Sequence, residues 1–210
     1  MAQTSTTLSG AKDHFENITG TDISFTSSGG VYTISSTTTK LTGSSSFTGN
    51  NRAVVNDLIT ITGASESTNN KTFTVKSIVS ETSFTVHEQT ATEGAGASIT
   101  LDHTGFVTEK AKGDGYYSQP DGVHTVTYRM VNLGDSTDDF RGTCKMQGSL
   151  ATTPTEEDWF DITDTDVNSD LSTTTVSKNF TGNFVWVRAK VTTTNTDGNR
   201  SMINSILLNS

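Results

Sequence analysis

One cysteine, two prolines and two tryptophans stand in a chain of 210 residues, and no apolar run approaches the ~20 residues that cross a membrane as a helix. The lone Cys144 excludes an internal disulfide, so the fold does not depend on an oxidising compartment. In RGTCKMQG it alternates with polar neighbours and reads as a small buried strand residue, not a nucleophile. Cations are scarce: 14 Lys and Arg face 23 Asp and Glu, a net charge of −9 and a pI near 4.7. Such a surface repels phosphate backbones and argues against duplex nucleic acid as a partner. The start, MAQTSTTLSGAKDHF, has neither the basic onset nor the apolar stretch of a Sec-type signal, and no membrane association is expected. His14, His87, His103 and His124 are scattered, with no HxxxH and no CxxC, so zinc has no spacing to use. There is no G-x-S-x-G elbow. EGAGAS lacks the lysine and helix pattern of a phosphate loop. No cofactor is expected.

What fills the chain instead is threonine, about one residue in five. Thr is β-branched and suits an extended strand while keeping its outer face wet. With 31% hydrophobic residues and 18 glycines, the pattern is short strands, polar turns and a thin core spread along the chain. The fold class expected is all-β: a small N-terminal β-barrel or sandwich, then a jelly-roll-like antiparallel β-sandwich. Residues 1–22 read as a polar N-terminal arm whose isolated Leu8, Phe15 and Ile18 would anchor it on an adjacent subunit. Residues 23–101 form the small β domain, with KTFTVKSIV and SFTVHE placed as a hairpin around SETS. Residues 102–118 read as a charged, glycine-punctuated connector ending in Tyr116 and Tyr117, and 119–210 as the sandwich.

The candidate chemistry is sparse. Asp164, Asp166, Asn168 and Asp170 begin like a calcium loop, but Ser169 stands where glycine is needed and Thr175 where a bidentate Glu is needed. A solvated acidic loop is the preferred reading of these four. Glu156, Glu157, Asp158 and Asp161 cluster around Trp159, as the acid pair of a glycosidase would, yet acids beside one tryptophan are commonplace. In GNFVWVRAKV, Val185, Val187, Ala189 and Val191 share one strand face and are read as core. The other face carries Phe184, Trp186, Arg188 and Lys190. Internal packing is preferred there, then a subunit interface, then a sugar platform on Trp159 and Trp186. Arg188 and Lys190 are read as partners for nearby carboxylates.

The text of DLITITGASESTNNKTFTVKSIVSETSFTVHEQTATEGAGASITL resembles a recurring module in structural proteins of tailed bacteriophages, marine ones especially. GSLATTPTEEDWFDI and FTGNFVWVRAKV are similar to a second virion pattern, and the two stretches together cover somewhat more than half the chain. The resemblance implies a non-enzymatic virion component assembled in the bacterial cytoplasm, in contact with other capsid, neck or tail proteins and homo-oligomeric. A capsid decoration protein is the first expectation and a neck, tail or fibre-associated protein the second. The interface candidates are Leu8, Phe15, Ile18, Tyr116, Tyr117, Phe184, Trp186 and Arg188. A carbohydrate-binding adhesion module for a host-surface glycan is the rival from another class, and a lysin-like hydrolase the third.

Overall fold

A computed structural model describes residues 5–12, 17–41, 52–118, 122–130, 140–170, 175–193 and 203–209. Within them the chain is all-β, its strand ladders antiparallel and its helical content confined to short 3-10 turns. No helix among the described residues is long and apolar enough to cross a membrane. The chain divides into two compact units. A discontinuous unit comprises Met1–Asp13 and Val107–Ser210, and an inserted unit runs His14–Phe106.

The first strand, β1 (Ser5–Ser9), already departs from the expected arm. It pairs with the last strand of the discontinuous unit, Ser5 opposite Asn209 and Thr7 opposite Leu207. Leu8 is buried within this chain. Its side chain is therefore spent on the protein's own core and is not offered to a neighbouring subunit. Phe15 lies outside the described residues. Ile18 opens β2 (Ile18–Gly20), pairs with Leu101 and packs against the core of the inserted unit. The two ends of the supposed arm are thus strands of two different units.

The inserted unit continues with β3 (Ile23–Ser28), β4 (Val31–Ser36), β5 (Asp57–Thr62), β6 (Thr72–Ser80), β7 (Ser83–Val86) and β8 (Ile99–Val107). Hydrogen-bonded neighbours run β3-β4-β7-β6-β5-β8-β2. The expected hairpin is β6–β7, with Ile78 opposite Phe84. Its core gathers Ile23, Phe25, Ile34, Leu41, Ile59, Ile61, Phe73, Val75, Phe84, Val86, Ile99 and Leu101. In β5 and at the starts of β6 and β8 the apolar residues alternate with threonines, of which Thr60, Thr62, Thr72 and Thr100 keep some exposure while Thr74 is buried and bonded to Glu88. Each fully buried aliphatic or phenyl side chain contributes about 1.5–3 kcal/mol, which lets a thin core suffice.

The expected connector is also structured. It is crossed by the end of β8, then by β9 (Ala111–Lys112) and a 3-10 turn at Asp114–Tyr117. The discontinuous unit then adds β10 (Val123–Met130), β11 (Arg141–Ser149), β12 (Phe160–Asp161), β13 (Val167–Asp170), β14 (Thr175–Thr181), β15 (Trp186–Thr193) and β16 (Ile203–Asn209). One sheet has the order β1-β16-β10-β14. In the other, β11 pairs with β15 on one side and with β12 and β13 on the other, while β9 pairs with β15. Successive strands cross between the sheets, as in a β-sandwich. Tyr128 ties the two together, its hydroxyl donating to the Thr165 carbonyl at 3.2 Å from a fully buried ring.

The abundance of threonine has a structural use. Directly opposed residues bond through their side chains across the wet faces: Thr60 with Thr72, Thr19 with Thr100, Thr127 with Ser177, Thr125 with Asn179 and Thr143 with Asn168, all within 3.0 Å. Such cross-strand pairs each add a few tenths of a kcal/mol and help to fix register.

Candidate interaction face

β15 carries the alternation read from the sequence from Trp186 onward, while Val185, also read as core, precedes the strand and is half-buried. Val187, Ala189 and Val191 are buried in the sandwich, and Trp186, Arg188 and Lys190 point to the opposite face, where they stand opposite Ser149, Gln147 and Lys145. Phe184 does not share that face. Strand pairing begins at Trp186, and the backbone before it turns at Gly182, whose φ is +151°. The Phe184 ring is buried within the discontinuous unit, against Phe180 and Phe160 at centroid separations of 6.3 and 5.9 Å. A Cβ on Gly148 would stand 2.6 Å from this ring and one on Gly182 2.2 Å from it. The two glycines therefore make the slot that the ring fills, and Phe184 leaves the interface candidates.

Arg188 is only 6% exposed although it lies on the outer face. The segment after β11 covers it. Its guanidinium donates to both Glu156 carboxylate oxygens at 3.0 and 2.8 Å, and its Nε donates to Gln147 Oε1 at 3.0 Å. A bidentate fork of this kind is among the stronger pairings available to a carboxylate. Trp159 completes the enclosure, with Arg188 Cζ 4.2 Å from its ring centroid. Next along the row, Lys145 and Lys190 are directly opposed, a repulsive arrangement. Asp161 relieves it, accepting from Lys145 at 2.6 Å and from Gln147 at 2.9 Å. Burial pushes the Asp161 carboxyl up, but the Lys145 and Gln147 hydrogen bonds outweigh it and hold the group below its usual range. Asp158 also lies low, because it accepts from the Thr155 backbone and hydroxyl at the start of a 3-10 turn. Of the four acids around Trp159, three thus have hydrogen-bond partners of their own. The glycosidase pattern in TPTEEDWFDI is a clamp on Arg188 and a cap on its own turn.

The calcium candidates separate in the same way. Asp164 sits in a turn with φ of +61°, and Asn168 belongs to β13, where its Oδ1 accepts from Thr143 at 2.7 Å. Asp166 and Asn168 line a shallow groove of about 380 Å³ with Lys145 and Asp161. The Asp170 side chain lies outside the described residues. An extended strand does not curl its side chains around an ion as a calcium loop does. Among the described residues no group of three His, Cys, Asp or Glu is placed to hold a metal.

At the β9 edge the same face changes character. Lys112 stands opposite Trp186, and the following turn presents Tyr116, 43% exposed, and Tyr117, 57% exposed. The turn is held at several points. Gly113 N donates to Val185 O at 3.0 Å and Gly115 N to Phe184 O at 2.8 Å. Asp114 accepts from Gly122 N at 2.7 Å and lies 3.2 Å from His124 Nε2, whose ring stacks on Phe180. The aromatic rings meet edge to face, Tyr116 with Tyr117 at 5.2 Å and with Trp186 at 4.9 Å. Two ammonium groups cap them: Lys112 at 4.1 Å from Tyr116 and 5.4 Å from Tyr117, and Lys110 at 4.4 Å from Trp186. Trp186 is anchored by its indole N–H, which donates to Thr152 O at 3.0 Å.

The sequence reading named the tyrosines and Trp186 but not Lys110 and Lys112, and it placed them in different segments. The available signal was the alternation in EKAKGDGYY, which puts two lysines on one strand face just before the tyrosines. No family model, curated protein or solved structure matches the chain. What the geometry defines is an all-β protein with a rigid, half-exposed aromatic and cationic platform on one face of its discontinuous unit.

Proposed function

We propose that this protein is a non-enzymatic structural component of a tailed-phage virion, most simply a capsid decoration protein, and that it docks through protein–protein contacts. The observation that carries the docking surface is the Tyr116–Tyr117 platform. Aromatic residues dominate the energy of protein interfaces, and these two project from a turn whose backbone is already fixed. Little conformational entropy remains to be lost when a partner covers them. The virion setting rests on the resemblance of the two quoted stretches to phage structural modules. Assembly would add stability by burying patches between copies, which suits units with thin cores.

Mass spectrometry with imaging of purified particles tests the setting through copy number. Hundreds of copies per particle point to capsid decoration, while a copy number set by one ring at the neck or tail points to the second location. Absence from particles overturns the proposal. The adhesion-module reading draws on the same exposed tyrosines. It would take over if a glycan array gave hits that Tyr117→Ala abolished. Trp159 is a poor sugar platform in either case, since Arg188 occupies one of its ring faces.

A further inference from the structure

Cations crowd the outer face of the β9–β15–β11 sheet, and the chain meets them with its own carboxylates at two places but not at a third. Arg188 has Glu156. The directly opposed Lys145 and Lys190 share Asp161, which bonds Lys145 and also feels the charge of Lys190. The third place is the aromatic edge. Lys112 stands opposite Trp186, and the β9–β15 register, continued by one pair beyond Ala111, sets Lys110 level with Arg188. Both lysines are exposed, and among the described residues neither is in an ion pair. Asp114, two residues after Lys112, is engaged by Gly122 N and by His124. The two ammonium groups are nevertheless held in place, Lys112 over Tyr116 and Lys110 over Trp186. A ring face occupies one side of an ammonium group and leaves N–H donors directed away from it.

We infer that this edge receives an acidic segment of a partner protein, whose carboxylates accept from Lys110 and Lys112 while an apolar side chain between them covers the exposed tyrosines. Like charges set level by strand pairing repel. Glu156 offsets Arg188, and the anion for Lys110 and Lys112 is left to the partner. Tyr116, Tyr117 and the exposed Leu150, which follows the Ser149 opposite Trp186, supply the apolar part of the contact. An extended polyanion, whether nucleic acid or an anionic membrane, fits less well. Its field reaches past this edge to the rest of a chain of net charge −9 and is opposed by it. A segment with a few carboxylates meets mainly the local lysines, because exposed charges more than about 8 Å away are screened at physiological salt. A neutral sugar leaves both ammonium groups without an anion. The inference rests on reading the platform as a protein interface and does not require the virion setting.

Titration of the full chain with a short capped peptide alternating Glu and Leu, followed by calorimetry and backbone amide shifts, tests it. Binding is expected that weakens as salt rises and that shifts the amides of 110–117 and 186. The same peptide with Gln in place of Glu should bind about tenfold more weakly or worse. Lys110→Gln with Lys112→Gln should weaken binding of the Glu peptide by a similar factor while melting like the parent. Lys110→Arg with Lys112→Arg should keep it, and Lys76→Gln, on the inserted unit, should leave it unchanged. No binding of the Glu peptide, equal binding of the two peptides, or binding indifferent to Lys110 and Lys112 would overturn the inference. So would tighter binding to phosphatidylserine vesicles or a single-stranded oligonucleotide, or self-association of the chain that the glutamine variant abolishes. If that variant still enters particles while Tyr117→Ala does not, the proposed docking stands and the acidic partner falls.

Discussion

The two units use their polar side chains in opposite ways. In the inserted unit they are turned onto its own loops and turns. Asn69, fully buried, donates to Ala91 O and Glu93 and accepts from Ala91 N. Glu93 in turn accepts from the backbone N–H groups of Ser65 and Glu66, Asn70 bonds both N–H and C=O of Ala64, and Asp22 gathers Ser36, Thr37, Thr38 and Lys40. The discontinuous unit instead assembles Trp159, Trp186, Arg188, Tyr116 and two lysines on one outward face. Side chains that staple turns define a framework. Side chains gathered on a rigid face define a place to bind. Neither unit contains both arrangements to the same degree, and the contrast is why the docking surface is proposed on the discontinuous one.

The contrast can be broken most severely at Phe184. Phe184→Ala empties the slot between Gly148 and Gly182 and should cost about 3–5 kcal/mol, read by denaturant unfolding of the discontinuous unit. Asn69→Ala should cost the inserted unit about 1–2 kcal/mol, because a fully buried side chain gives up three hydrogen bonds to half-exposed partners at Ala91 and Glu93. It should leave docking untouched; a loss of docking would mean that the units are not divided in role as described. Glu156→Gln should cost about 2 kcal/mol, less than a fully buried pair would, since the carboxylate is partly solvated. It should also loosen the platform's acidic neighbour, measurable as faster amide exchange at 156–159.

A smaller effect is expected from acid. Burial pushes the Glu93 carboxyl up, but hydrogen bonds from Asn69, Ser65 and Glu66 outweigh it, so its value lies below the ordinary 4.5. Asp22 is lowered as well, first by Lys40 and then by Ser36. A carboxyl lowered on folding contributes stability that is complete above its unfolded value and is lost as pH falls through the folded one. Glu93→Gln should therefore lessen the loss of stability of the inserted unit on acidification, followed by circular dichroism. The smallest change in stability, within about 0.5 kcal/mol, is expected for Tyr117→Ala. That variant should melt like the parent and yet lose partner binding, which is the sharpest form of the comparison.

Much of the framework was legible because strand periodicity and turn chemistry are local. FTV in Thr72–Ser80 and in Ser83–Val86 gave the hairpin, and the Val187–Ala189–Val191 alternation gave a buried face. What escaped was set by distant partners. Leu8 reads as a lone apolar residue until β16, some two hundred positions away, is seen beside it. Phe184 seems to share a face with Trp186 until Gly182 turns the backbone and Gly148 opens a slot. The acids of TEEDWF read as a commonplace cluster beside a tryptophan until Arg188 arrives from another strand. Lys110 and Lys112 look like connector charges until β9 pairs with β15.

Cys144 carries one further consequence. It is enclosed in β11, and burial pushes its thiol up to about 12, so the reactive thiolate is all but absent in the folded protein. It is also the sole thiol of the chain and belongs to the discontinuous unit. An alkylating reagent can modify it only when that unit opens. The rate of single-site labelling is therefore a clock on the opening of the discontinuous unit, and a bound partner that stabilises that unit should slow it.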